Sequence, residues 1–379
     1  MSAKSITRIA YFISPHGFGH AARACAVMDA VHRLNCEIEF HVYANTPRWF
    51  FEDSLSGPWK YHPLITDIGF VQKNPLEIDL SETLSRLDQF YPVDPALVAD
   101  LAYAVSKKRC ELIVCDIAPL GIEVAKAAGI PSVLIENFTW DWLYESYLDK
   151  EPGLRSHITL LGKLFGGADF HVQTEPVCQR VHADLVTGPV NRKTTMRRFE
   201  VRERLGISGR EKMVLLTMGG IRDKNASLEL LRELPKIHFI VPGASRTAKR
   251  NGNLTLLPHR SDYFHPDLVA ASDAVVGKVG YSTLAETYGG GVPFGYIVRR
   301  DFRESEVLVS FVETNMRGML IAEEEFYNGA WISRLDDLLA LPRVSRKAPK
   351  GAKEVAQFLR RMLKERAGKE SSRIYQKKP

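Results

Sequence analysis

Between Ile13 and Arg23, the stretch ISPHGFGHAAR places two glycines, two histidines and an arginine within eleven positions. Those residue types in that order admit several chemistries. Gly17-Phe18-Gly19-His20-Ala21-Ala22 satisfies the G-x-G-x-x-G/A pattern that sets a pyrophosphate on a helix N-terminus. A nicotinamide or flavin site would also need an acidic residue at the end of the second strand to hold a ribose. Here that strand ends Tyr43-Ala44-Asn45, with Glu39 inside it. No Gly-Lys-Ser/Thr follows the glycines, so the loop is not of the Walker type. His16 and His20 stand four apart, but His16 precedes the helix and no glutamate occupies a zincin position, so no metal is expected there.

Proton transfer is the chemistry that remains. At a helix N-terminus the dipole disfavours imidazolium, and a neutral ring can take a proton from an alcohol. Such a histidine wants a carboxylate on its other nitrogen. Asp116, which closes the run ELIVCD, is the candidate partner for His20; the alternative is that Asp116 caps the helix that follows it.

These residues need strands and helices to hold them. RIAYFI, IEFHVYA, ELIVCD and PSVLIE are short apolar runs alternating with helical spacing at Ala21 to Leu34 and Leu120 to Ala128. The second half repeats the plan with KMVLLTM, IHFIVPG, LTLLP, DAVVG and PFGYIV, and with helices near Ala226 to Leu234 and from Ser282. Continuous apolar strands alternating with helices imply parallel, doubly wound sheets buried on both faces. Ligands of such sheets bind beyond the carboxyl ends of the strands. The loops after FIS, VCD, LTM and VVG should therefore face one cleft. TGPVNRK, Thr187 to Lys193, is the candidate hinge.

At 379 residues, two domains are expected. The bounds read as 1–187 for an N-terminal acceptor domain, 188–345 for a C-terminal donor domain, 346–366 for a crossover helix and 367–379 for a disordered basic tail. The formal charge of +6 divides unevenly: from Arg343 onward the net is +10, which leaves the body at −4. That distribution argues against nucleic acid as a partner, because a footprint should cross a folded face. Val355, Phe358, Leu359, Met362 and Leu363 form a helical stripe that should dock on the body. Nothing approaches the ~18 apolar residues of a membrane span, and Met1 to Ile6 is too short and polar for a secretion signal. The expected location is cytoplasmic, with peripheral membrane contact left open. Cys25, Cys36, Cys110, Cys115 and Cys178 are scattered, without a C-x-x-C pair, and read as packed thiols.

GFGHAAR resembles the first loop of the peptidoglycan N-acetylglucosaminyltransferases. CDIAPLGIEVAKAAGIPSVLIENFTW is similar to the segment of nucleotide-sugar-dependent glucosyltransferases that carries the aspartate partner, and VVGKVGYSTLAETYGGGVPFGYIVRRDF to their donor-binding segment. GFGHAAR, NFTWDW and GKVGYSTLAE also resemble the glycosyltransferase-like N-terminal region of L-arabinokinases; no kinase-like segment follows here, so a free-standing member is implied. The resemblance implies a GT-B fold, an α/β architecture of two Rossmann-like domains facing a cleft, with the C-terminal helix crossing back to the first. It implies a metal-independent, inverting transfer, with a nucleotide-sugar co-substrate, UDP-linked, and no other cofactor.

On that reading Gly280 lets backbone approach the donor, and the helix from Ser282 aims free N–H groups at a pyrophosphate, with Ser282 and Thr283 adding hydroxyls. Lys278 lies in the same segment. Glu286 stands where the family's ribose-binding glutamate stands; the alternative is a helix-surface glutamate. Gly17, Gly19, Gly219 and Gly220 would close on the phosphates. Arg299, Arg300 and Arg303 could neutralise a leaving diphosphate or be solvated. Asp301 and Glu304 occupy the neighbourhood of the donor sugar's hydroxyls, but the usual Asp-Gln or Gln-Gln pair is absent, so the sugar stays open. The aromatic run Phe138, Trp140, Trp142 and Tyr144 reads first as core, with one of the two tryptophans expected to line the acceptor cleft. A nucleotide-sugar epimerase, a non-catalytic nucleotide-sugar-binding protein and a DNA-modifying glucosyltransferase are the rival readings.

Overall fold

The structure is a computed structural model and describes residues 6–34, 37–218, 226–299, 301–345 and 349–376. Gly219, Gly220 and Arg300 lie outside the described residues, as does Cys36. The other four cysteines are free thiols, three of them buried.

Strands β1 (Thr7–Ile13), β2 (Ile38–Ala44), β3 (Trp59–Pro63), β4 (Cys110–Asp116), β5 (Ser132–Glu136), β6 (Phe170–Thr174) and β7 (Leu185–Thr187) form one sheet in the order 3-2-1-4-5-6-7. All its pairings are parallel. Strands β8 (Lys212–Thr217), β9 (Ile237–Pro242), β10 (Lys249–Asn251), β11 (Leu254–Leu257), β12 (Ala274–Lys278), β13 (Phe294–Ile297) and β14 (Gly318–Ile321) form the other, in the order 10-11-9-8-12-13-14. There only β10 and β11 pair antiparallel.

The strand sequences account for this layering. In β1, Ile9, Tyr11 and Ile13 enter one core layer while Ala10 and Phe12 enter the opposite one, so both faces carry apolar side chains and helices must cover both. The second sheet is likewise packed between two clusters. The named runs coincide with β1, β2, β4, β5, β8, β9, β11, β12 and β13, and the structure adds β3, β6, β7, β10 and β14. WKYHP of β3 and KRN of β10 are edge strands without a continuous apolar run.

In each sheet the order reverses once, between β1 and β4 and between β8 and β12. Those two switch points are where loops diverge and leave a crevice. The helix Gly19–Leu34 leaves β1 at the first, and the helix Tyr281–Gly290 follows β12 at the second. Gly277 allows the sheet to close there: a Cβ on it would stand 2.0 Å from the Thr217 carbonyl oxygen.

The C-terminal helix Gly351–Gln376 returns to the first sheet. Val355, Ala356, Phe358 and Leu359 join the core layer that holds the Gly19–Leu34 helix, and Met362 and Leu363 pack at its margin. Its backbone continues past Glu365 to Gln376, through residues 367–376 that were expected to be disordered.

Candidate active site

His20 is the second residue of the helix that follows β1, and Asp116 is the last residue of β4, so the switch point brings them face to face. His20 Nδ1 stands 3.0 Å from Asp116 Oδ1, with His20 7% exposed and Asp116 fully buried. Asp116 caps no helix: the next helix, Pro119–Ala128, has Ala118 at its N-cap and no side-chain cap bond. Between them Ile117 adopts φ +49°, a left-handed conformation that costs a β-branched residue energy.

Arg23 completes the group and was not singled out from the sequence. It donates from Nε to Asp116 Oδ2 at 2.8 Å, from Nη2 to Asp116 Oδ1 at 2.6 Å, and from Nη1 to Asn137 Oδ1 at 2.7 Å. Burial works against charge on both partners. The Arg23 guanidinium, its hydrogen bonds and then His20 nevertheless hold Asp116 below the usual carboxylate range. Asp116 in turn raises the pKa of Arg23 against the same burial. Arg23 Nη2 also approaches His20 Nδ1, at 3.4 Å. The shorter Asp116 contact makes Nδ1 the nitrogen that carries the hydrogen when the His20 ring is neutral, which leaves Nε2 as the acceptor.

The second domain meets this group directly. The Arg23 guanidinium lies 4.9 Å over the ring of Tyr281, the first residue of the helix after β12. Asn137 Nδ2 donates to Glu304 Oε1 at 3.0 Å, and Arg299 Nη2 donates to Glu304 Oε2 at 3.2 Å. A continuous polar chain therefore runs from His20 through Asp116, Arg23 and Asn137 to Glu304 and Arg299. Gly17 turns into the first helix at φ +65°, which suits glycine. A Cβ on Gly19 would lie 3.6 Å from Ser282 Oγ, so two helix N-termini confront each other across the cleft.

Two connected cavities occupy that cleft. The outer one, about 570 Å³, lies between Phe18, Trp49 and Phe50 of the first domain and Tyr263, Phe264 and Glu286 of the second. Glu286 is buried, not a surface residue. Its Oε1 accepts from Arg192 Nε at 2.9 Å, and its Oε2 lies 2.8 Å from His265 Nδ1. Burial opposes its ionisation, but Arg192 and then His265 bring its pKa below the ordinary value. The Arg192 guanidinium sits between the Phe50 and Phe264 rings, 4.8 Å and 5.0 Å from their centres.

The inner cavity is about 70 Å³, walled by His20, Asn137 and Phe138 on one side and by Lys278, Arg299 and Glu304 on the other. Ser282 and Thr283 line both cavities, and Gly280 the inner one. Enclosure strips Lys278 of hydration and brings its pKa down to about 7, with Arg299 pushing the same way and Glu304 opposing. Burial likewise lowers Arg299 to about 10, less strongly resisted by Glu304.

Other candidates fall elsewhere. Asp301 does not line the inner cavity; it is exposed at the cleft rim, with Oδ2 2.6 Å from Lys150 Nζ. Arg303 braces the first domain, donating to the Trp142 carbonyl at 2.7 Å and Glu145 Oε2 at 2.9 Å. Neither Trp140 nor Trp142 walls either of these two cavities. Trp140 is fully buried behind His16 and His20, in an aromatic cluster with Phe70 and Tyr144, and Phe138 takes the cleft position instead. Among the described residues, no group of three or more His, Cys, Asp or Glu is arranged to hold a metal ion, and no helix is long and apolar enough to cross a membrane.

A family model described as glycosyl transferase family 1 matches residues 7–294. The chain belongs to that family. It is 28% identical to L-arabinokinase of Arabidopsis thaliana over 338 residues, 88% of this chain and 32% of that protein, so it spans about a third of that relative's length. Two solved structures are similar in fold. The calicheamicin glycosyltransferase CalG4 has a TM-score of 0.58 at 12% identity, covering 98% of this chain and 99% of that one. A UDP-glucosyltransferase from Polygonum tinctorium has a TM-score of 0.57 at 14% identity, covering 100% of both chains. The two facing sheets of this glycosyltransferase are therefore a GT-B fold.

Proposed function

We propose that this family member moves a sugar from a nucleoside diphosphate sugar to an acceptor hydroxyl, with His20 as the general base. What carries the reading is the 3.0 Å contact of His20 Nδ1 with Asp116 at the inner end of an interdomain cleft. With Nδ1 engaged, Nε2 takes the acceptor proton while the acceptor oxygen attacks the anomeric carbon. One carbon–oxygen bond forms as the bond to the diphosphate breaks, and the electron pair leaves on the diphosphate. Attack from the face opposite the leaving group makes the transfer inverting.

In this reading the outer cavity takes the nucleoside, its base between aromatic walls and its ribose beside Glu286. The amide edge of residues 280–283 and the Lys278 ammonium stabilise the diphosphate, without a metal ion. The solved neighbour that is a UDP-glucosyltransferase makes uridine the first base to test. The acceptor enters from the first domain.

The test is a thermal-shift screen of the purified chain against UDP, GDP, ADP and dTDP and their sugars, followed by assay of nucleoside diphosphate release with candidate acceptors. Stabilisation by one series and acceptor-dependent release that His20→Ala abolishes are expected. Binding with release unaffected by His20→Ala would overturn the base assignment, and stabilisation by none would overturn the reading.

A further inference from the structure

With Lys278 protonated, the inner cavity carries more positive charge than its own side chains neutralise. Arg23 is matched by Asp116, but Lys278 and Arg299 share the single carboxylate of Glu304. Arg299 is 4% exposed, lies flat over the Phe302 ring, and bonds Glu304 through Nη2 alone; Nε and both hydrogens of Nη1 have no partner. A buried guanidinium with open donors is costly unless something supplies acceptors. Among the described residues, nothing does.

Position along the cleft says which part of a ligand would meet it. Of these two cavities, Glu286 lines the outer, Ser282 and Thr283 line both, and Arg299, Phe302 and Glu304 line the inner. A nucleoside diphosphate sugar laid along that line, nucleoside outward, has its diphosphate at Ser282 and Thr283 and its sugar at Arg299. Lys278 ends β12 and Arg299 follows β13, so both belong to the donor-side sheet and not to the wall from which the acceptor enters.

We infer that the donor is a sugar bearing a carboxylate, a nucleoside diphosphate hexuronate, whose carboxylate accepts from Arg299. This rests on the function proposed above and narrows its substrate class. A neutral hexose can accept hydrogen bonds from Arg299 but leaves Glu304 as its whole countercharge, held through Nη2 alone, whereas a carboxylate supplies charge-assisted acceptors to the open Nε and Nη1 donors. Glu304, across the guanidinium, would hold sugar hydroxyls and keep the carboxylate on the Arg299 side by repulsion. The inner cavity is smaller than a hexose, so binding requires the two walls to part at the Asn137–Glu304 contact.

The test measures dissociation constants of the full chain by calorimetry for matched pairs: UDP-glucose with UDP-glucuronate, UDP-galactose with UDP-galacturonate, and GDP-mannose with GDP-mannuronate. The acid of at least one pair should bind tenfold or more tightly than its neutral partner. Arg299→Gln should weaken that acid at least ten times more than it weakens the parent nucleoside diphosphate, and Arg299→Lys should recover part of the loss. If UDP or GDP and the neutral sugars bind but no pair favours the acid, the hexuronate is overturned and glycosyl transfer stands. Equal loss of the diphosphate and the acid in Arg299→Gln would assign Arg299 to the diphosphate instead. If no nucleotide of any pair binds and none of UDP, GDP, ADP or dTDP shifts the melting temperature, both readings fall. The wild-type comparison stands even if Arg299→Gln does not fold.

Discussion

The buried pair of Arg23 and Asp116 gives the partner of the proposed base, His20, a structural role as well. His20→Gln removes the base and leaves that pair intact, so it should lower kcat by ~10² to 10⁴ while the melting temperature barely moves. Asp116→Asn strands the Arg23 guanidinium in the interior, and breaking such a pair costs ~3 to 5 kcal/mol; the variant should lose stability as well as rate. Parallel kinetics and urea titrations of the two variants check this, and equal stability of both would show that Arg23 finds another anion. Lys278 gives a pH signature. Its pKa of about 7 in the empty cleft lies below the usual lysine value, so at pH 8 it is mostly neutral until an anion arrives. Donor or UDP binding should therefore take up a proton between pH 7.5 and 9 and weaken as pH rises through that window; calorimetry in buffers of different ionisation heat reads the uptake, and Lys278→Met should remove it. The sign for stability follows the same shift. The unfolded lysine binds its proton where the folded one does not, so this group's penalty is full below pH 7 and is relieved as pH rises toward the unfolded value. His20 and Asp116 were legible in the sequence because strand-end and helix-start positions can be read from apolar runs. Arg23 was not, although its signal was present: it stands three residues after His20, on the same helix face, in a run that is otherwise all small and apolar.

At the scale of elements, what the sequence disclosed tracks burial. Strands covered on both faces, such as β1, β4 and β12, write themselves as unbroken apolar runs, whereas β3 alternates half-exposed and exposed residues and has no such run. The helix Trp140–Glu145 shows the reverse failure: aromatics suggested a sugar-stacking wall, but close packing against Phe70 uses Trp140 and Tyr144 as core. Glu286 could be placed on its helix, yet its partners Arg192 and His265 come from segments 94 and 21 residues away, which no local pattern announces. The C-terminal helix was readable from its stripe, and its docking is testable. Leu359 is fully buried against the first-sheet core, so Leu359→Ala should cost ~2 to 5 kcal/mol, measured by denaturant unfolding. A cost under 0.5 kcal/mol would mean the helix contributes little to the first domain.

At the scale of the molecule, the cleft is held shut by contacts of unequal strength. Asn137–Glu304 and Arg23–Tyr281 lie at its centre. One rim carries Arg303 on Trp142 and Glu145, with Lys150 and Tyr147 on Asp301; the other carries Arg260 on Glu52. Exposed ion pairs contribute ~0 to 1 kcal/mol each, so most of the rim is weak. Arg303 is the exception, because its guanidinium bonds a backbone carbonyl and stacks 4.2 Å over the Trp142 ring. Removing it with Arg303→Ala should cost ~2 kcal/mol of closure, which shifts the closed-to-open ratio about 30-fold. Only Phe302, in a first-sheet core layer, and Leu76, in a second-sheet one, cross between the four core layers among the described residues, so the loss should appear mainly in shape and not in unfolding. Small-angle scattering of the free variant should give a larger radius of gyration than wild type, and saturating donor should return it to the wild-type value if, as proposed, the donor bridges both walls. Donor KM should rise in proportion to the lost closed population, and kcat should hold or increase where opening to release the diphosphate limits turnover. An unchanged radius of gyration together with an unchanged KM would mean that the central contacts alone set closure, and the rim would then serve only to keep water from the reacting carbon.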